Sequence, residues 1–226
     1  PSTPPLTTTL DIYAAHYVDA NKFYVGGAFG VTKTTDGGET FTRLAPEFFN
    51  QGTVRDIIFV DSMTAYVTGT SYFKVSKTTD GGATWTVSAA LPATTYYTLD
   101  ITSSGKIFVG GFTNASANIR YSTDGGSTWS TAAAGTGTIY DIVFTDSLVG
   151  YASSLSGAGY KTTDGGLTWS LLTIGAPTTS AFYDIVRSGN SVYFVDDDSL
   201  MFGTTDGGAT FSRTNYLPAG MSNQIM

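Results

Sequence analysis

The 226-residue chain contains no cysteine, a single histidine, His16, and only two glutamates, Glu39 and Glu47. Without cysteine there are no disulfides, thiol nucleophiles or Cys-ligated zinc sites. One histidine cannot build a multi-His metal centre, and nothing around His16 marks a Ser-His-Asp arrangement. Charged residues make up only 13% of the chain, the formal net charge is −7, and Lys and Arg form no cluster. A nucleic-acid or anionic-membrane surface therefore has no electrostatic footing. No apolar run is long enough to cross a bilayer as a helix, no signal-peptide pattern is visible, and no Gly-Lys-Ser/Thr phosphate loop occurs. Helix formers are scarce while Thr, Ser, Gly, Tyr and Val abound, which predicts an all-β chain.

What the sequence does have is repetition. The octapeptides that begin at Thr34, Thr78, Ser122, Thr162 and Thr204 share the form Ser/Thr-Thr-Asp-Gly-Gly-x-Thr-Trp/Phe and recur every 40 to 44 residues. One such unit cannot bury its own faces, so the repeats must share a core. A second phrase keeps step: Asp11-Ile12, Asp56-Ile57, Asp100-Ile101, Asp141-Ile142 and Asp184-Ile185 each open an apolar run. The fourth repeat shows the unit. Residues 140–144, 149–153, 160–163 and 167–171 read as four short strands joined by turns. Four antiparallel strands per period of this size make the blade of a β-propeller.

The expectation is a single domain over residues 1–226, with repeats at about 10–50, 51–94, 95–135, 136–178 and 179–216 and a tail at 217–226. Both ends resemble the linker between Leu91 and Ile101, so five whole blades are expected to close a ring, with the tail pairing at the seam. The competing expectation is a longer protein into which the tail leads onward.

The pairs Asp36 and Gly38, Asp80 and Gly82, Asp124 and Gly126, Asp164 and Gly166, and Asp206 and Gly208 read as structural turn residues. The aspartate accepts backbone N–H groups a residue or two on, the glycines supply positive φ, and the following Trp or Phe folds back under the hairpin. This phrase resembles the Asp-box of the bacterial neuraminidase repeat. With its leading lysine at Lys33, Lys77 and Lys161, it most resembles the repeats of the photosystem II stability and assembly factor family. Arg120-Tyr121 and Phe202-Gly203 depart from that pattern. The resemblance covers nearly the whole chain. It implies a propeller, and a role as an assembly factor, sorting receptor, surface protein or glycosidase.

Glycosidase chemistry needs two facing carboxylates, and sialidases also use an arginine triad. Glu39 is the variable position of a turn, and Arg43, Arg55, Arg120, Arg187 and Arg213 are scattered by the repeat. No catalytic residue can be assigned, and no enzyme, cofactor or metal is expected. The inner aspartates are expected to bond a neighbouring blade's backbone rather than a cation. Asp196-Asp197-Asp198 reads as a solvated acidic loop, and Asn114-Ala115-Ser116 is a glycosylation sequon. Aromatic and amide residues gather on the loops opposite the Asp-box turns. The candidate binding face is Phe48, Phe49, Asn50, Tyr72, Phe73, Tyr96, Tyr97, Phe112, Asn114, Phe182, Tyr183 and Tyr216. Such a face suits a protein partner or a glycan, with rings tucked between blades as the competing reading. The composition fits an exported, cell-surface or virion-displayed recognition module. A lectin or a sialidase-like hydrolase fragment would be the other uses of this fold.

Overall fold

A computed structural model describes residues 11–50, 52–70, 72–92, 94–112, 118–135, 137–155, 157–175, 181–197 and 200–215. They are all-β, with five four-stranded antiparallel sheets and no helix among the described residues. Each sheet takes four consecutive strands in simple meander order, the topology of a propeller blade. Blade 1 spans residues 12–44, blade 2 54–87, blade 3 96–131, blade 4 139–171 and blade 5 182–215. The chain divides into two compact units, Pro1–Thr95 with blades 1 and 2 and Tyr96–Met226 with blades 3 to 5. Both ends that the ring and tail readings depend on lie outside the described residues.

The Asp-box explains how the third strand of each blade turns into the fourth. The Thr34 hydroxyl donates to Asp36 Oδ1 at 2.7 Å and accepts the Gly38 N–H at 2.9 Å. Asp36 Oδ1 also accepts the Thr40 N–H at 3.0 Å, and Oδ2 takes the Thr40 hydroxyl. The same four bonds recur around Asp80, Asp124, Asp164 and Asp206. The carboxylate thus reaches four residues on, farther than the sequence reading placed it. Gly37 and Gly38 hold φ of 75° and 98°, the left-handed region closed to most side chains. These hydrogen bonds hold all five carboxyls below the usual aspartate range, Asp80 and Asp124 at about 2.

The ring after each turn precedes the fourth strand rather than beginning it. Trp85 and Trp169 are buried, and the indole N–H groups of Trp85 and Trp129 donate back to the Gly82 and Gly126 carbonyls at 3.1 and 3.0 Å. Phe41 remains 44% exposed.

Within each unit, neighbouring blades are joined side by side at their first strands, and side chains supply the bonds that backbones do not. In the larger unit, Asp100 Oδ2 of blade 3 accepts the Phe144 N–H of blade 4 at 2.6 Å, and Arg187 of blade 5 donates to the Phe144 carbonyl at 3.1 Å. Asp141 Oδ2 of blade 4 accepts the Ile185 N–H of blade 5 at 2.8 Å. This is the bonding expected of those aspartates. Strand pairing corrects their phase, however. Phe108, Tyr151, Tyr66 and Tyr24 are equivalent second-strand positions, and they pair with Asp100, Val143, Ile58 and His16. The residues equivalent to Asp56, Asp141 and Asp184 are therefore Ala14 in blade 1 and Thr98 in blade 3. Asp11 and Asp100 lie outside the repeat's register. Asp100 shares its slot with His16, and His16 Nδ1 accepts the Phe59 N–H of blade 2 at 3.5 Å. Burial pushes the Asp100 carboxyl above its ordinary value and the His16 imidazole below its own.

Candidate recognition face

The first strand of every blade carries a β-bulge at the same place. The pairing skips from Ile12 to Ala14, Val54 to Asp56, Tyr96 to Thr98, Ile139 to Asp141 and Phe182 to Asp184. The residue left over in each is Tyr13, Arg55, Tyr97, Tyr140 or Tyr183. A bulge bends the strand and re-aims the extra side chain, a device common beside functional sites.

In the larger unit these extra residues form a row. The Tyr97 and Tyr140 rings lie 4.9 Å apart and the Tyr140 and Tyr183 rings 4.8 Å apart, both tilted. Tyr183 is 46% exposed, and Tyr97 and Tyr140 are half-buried. In the smaller unit the Arg55 guanidinium sits over the Tyr13 ring at 4.0 Å, a cation–π contact. The row lies near the start of the first strands, at the blade ends that carry the loops and away from the Asp-box turns.

The candidate face read from the sequence divides in two. Phe49, Phe73, Tyr96 and Phe182 are buried core residues and present no surface to a partner. Phe49 packs edge-on to Phe73 and Trp85 at 5.3 and 5.4 Å. Phe48 is half-buried against Phe49. Asn50, Tyr72, Phe112 and Tyr183 are exposed. Asn114 and Tyr216 lie outside the described residues. In Tyr96-Tyr97 and Phe182-Tyr183, neighbours at the start of a first strand, one ring enters the core and the other, the extra residue of the bulge, leaves it. In the turn at Tyr72-Phe73, Phe73 is buried and Tyr72 exposed. Tyr140, Tyr13 and Arg55 were not among the candidates. Their signal was positional, since Arg55, Tyr140 and Tyr183 each immediately precede the Asp-Ile pair.

The other sequence candidates have structural duties. Asp196 is buried, and its Oδ1 accepts the Leu200 N–H at 2.7 Å. Asp197 Oδ1 accepts the Ala181 N–H at 3.0 Å. These two residues cap loops rather than forming a solvated acidic loop, and Asp198 lies outside the described residues. Among the described residues no three of His, Cys, Asp and Glu gather as metal ligands. Glu39, in an Asp-box turn, and Glu47, in the loop leading to blade 2, are exposed at opposite ends of blade 1.

Comparison with known proteins agrees with this architecture. The family described as BNR/Asp-box repeat matches residues 120–131, the third Asp-box. No curated protein sequence matches the chain. Among solved structures, YCF48 bound to a D1 peptide is 18% identical with a TM-score of 0.69, covering 94% of this chain and 70% of that one. An ancestral GH74 enzyme is 19% identical with a TM-score of 0.75, over 90% of this chain but only 31% of its own length. Virginiamycin B lyase from Staphylococcus aureus is 16% identical with a TM-score of 0.70, covering 90% of this chain and 69% of that one. Likeness at this level shows the fold alone: the chain folds as β-propeller blades, with a BNR/Asp-box repeat matched at residues 120–131.

Proposed function

We propose that this protein is a non-catalytic recognition scaffold that binds a protein partner at the loop-bearing ends of its blades. The observation that carries the reading is the tyrosine row of the larger unit, Tyr97, Tyr140 and Tyr183. A bulge repeated at one position adds these three residues to the first strands and lines their rings up. Tyrosine is well suited to contact, with an apolar body, a polar tip and little rotamer entropy to lose. Exposed Phe112 and Leu155 belong to loops at the same ends of blades 3 and 4. That YCF48 has been seen with a peptide bound supports a peptide over a sugar. Display outside the cell is the setting that the low charge and high Thr, Ser and Gly content favour.

The test is selection of peptides on the intact protein, followed by affinity measurement against a Tyr97→Ser, Tyr140→Ser, Tyr183→Ser variant. The expected result is at least a tenfold loss of affinity with an unchanged melting temperature. Binders indifferent to the three substitutions would remove the reading. The GH74 likeness favours one alternative, a fragment of a glycoside hydrolase, and release of reducing ends from a β-glucan would establish it instead.

A further inference from the structure

A second site lies at the other end of the blades, in the smaller unit, and does not depend on the tyrosine row. His16 of blade 1, Lys22 and Tyr24 beside it, and Phe59, Asp61 and Ser62 of blade 2 line a cleft of about 210 Å³. That is below the ~300–1,000 Å³ of sites for drug-sized ligands, so an occupant would have the size of an amino acid or a single sugar acid.

The corresponding place between blades 3 and 4 is filled by the protein itself. Lys106, the counterpart of Lys22 one residue before the second strand, donates its ammonium to the Gly165 carbonyl of the next blade's Asp-box at 2.6 Å. Between blades 4 and 5 a third-strand lysine, Lys161, reaches the Gly207 carbonyl at 2.7 Å. Lys22 makes no such bond among the described residues. Its ammonium lies 5.7 Å from the centre of the Tyr24 ring, facing the cleft, and no side chain among the described residues donates to the Gly81 carbonyl.

The remaining polar groups define what would fit. His16 Nδ1 is occupied as the acceptor for the Phe59 N–H, so the neutral ring carries its proton on Nε2 and is a donor. Asp61 is a fixed acceptor: Met63 and Thr64 donate their N–H groups to its Oδ1, both at 2.7 Å. One ammonium and one carboxylate leave the cleft near neutral, which disfavours a dianion such as phosphate. We propose that the cleft binds a small carboxylate with a donor on its α position, an α-hydroxy or α-acylamino acid. Lys22 and His16 take the carboxylate, Asp61 takes the α donor, and Tyr24 and Phe59 form the apolar wall.

His16 is the only histidine, so its ring protons give a single unambiguous signal in proton NMR. The full chain is titrated with N-acetylglycine, gluconate, glycolate, acetate and the neutral N-acetylglycinamide. The expected result is a saturable shift of the His16 signal with the first three, weaker binding of acetate, and no response to the amide. Tighter binding of N-acetylglycine would identify the source as a peptide C-terminus; tighter binding of gluconate would identify a sugar acid. Lys22→Met is expected to weaken binding at least tenfold, while Lys106→Met leaves it intact. No saturable shift, an equal response to the amide, or binding undiminished by Lys22→Met would overturn the proposal. Acetate binding as tightly as glycolate would overturn the role of Asp61.

Discussion

The junction between blades 1 and 2 and the junction between blades 3 and 4 are built at the same strand positions with different chemistry. In both, two aromatic rings stack across the junction: Tyr24 on Phe59 at 3.7 Å and Phe108 on Phe144 at 4.4 Å. In both, a first-strand side chain accepts a phenylalanine N–H of the next blade. Between blades 3 and 4 that acceptor is a carboxylate at 2.6 Å, assisted by the Thr98 hydroxyl, which accepts the Ile142 N–H at 3.3 Å. Between blades 1 and 2 it is an imidazole at 3.5 Å, and Ala14 stands where Thr98 would help. One junction has its lysine docked on the next turn and the other does not. The repeat therefore preserves a geometric task, satisfying the first strand's buried N–H, and leaves the residue type free. The slack in the weaker junction is where a cleft opens.

The largest effect should come from Asp100→Ala. It strands the Phe144 N–H and is expected to cost about 2–3 kcal/mol in urea unfolding. His16→Ala, removing a longer bond from a neutral ring, should cost about 1 kcal/mol. Equal losses would show that the two junctions are not distinguished by their acceptors. Next, Lys106→Met should cost about 1–2 kcal/mol, the worth of a hydrogen bond made by a charged donor. Lys22→Met, with no such bond to lose, should stay within about 0.5 kcal/mol.

The smallest effect is a pH dependence. The His16 pKa is lowered by burial, so the folded state binds fewer protons than the unfolded one just below pH 6.5. Its contribution to stability is intact above that value and is lost as pH falls toward the folded pKa. Asp100 has the opposite sign. Its raised pKa makes the ionised form the costly one, so that stability is lost as pH rises through the folded value. The five Asp-box carboxyls, all lowered, lose their contribution only as the medium falls below pH ~4. Thermal unfolding of His16→Gln between pH 6.5 and 5 should therefore be flatter than that of the parent. Gln can still accept the Phe59 N–H but does not titrate. An unchanged slope would remove His16 as its origin.

Much of the blade was legible in the sequence because its bonds are local. A threonine or serine, an aspartate two residues on and a threonine four beyond that close the Asp-box from one octapeptide. The junctions were legible in part: Asp100 and Asp141 bond the next blade's backbone as read, but the partners stand 43 or 44 residues apart and the acceptor in blade 1 is a histidine. His16 and Asp100 look unrelated until strand pairing puts both opposite an aromatic residue. The Asp-Ile phrase misled in blades 1 and 3 for the same reason: spacing to within two or three residues does not fix register, and register decides which side chain faces the neighbour. The aromatic pairs Tyr96-Tyr97 and Phe182-Tyr183 were visible in the sequence, but which ring of each enters the core was not, because that depends on strand register and on the bulge.

The central claim is that side-chain acceptors on the first strands tie neighbouring blades together, and amide hydrogen exchange at Phe144 tests it most directly. In Asp100→Ala the Phe144 N–H should lose at least tenfold in protection while Ile185, bonded to Asp141, keeps its own. Protection at Phe144 that survives the loss of Asp100 would contradict the account.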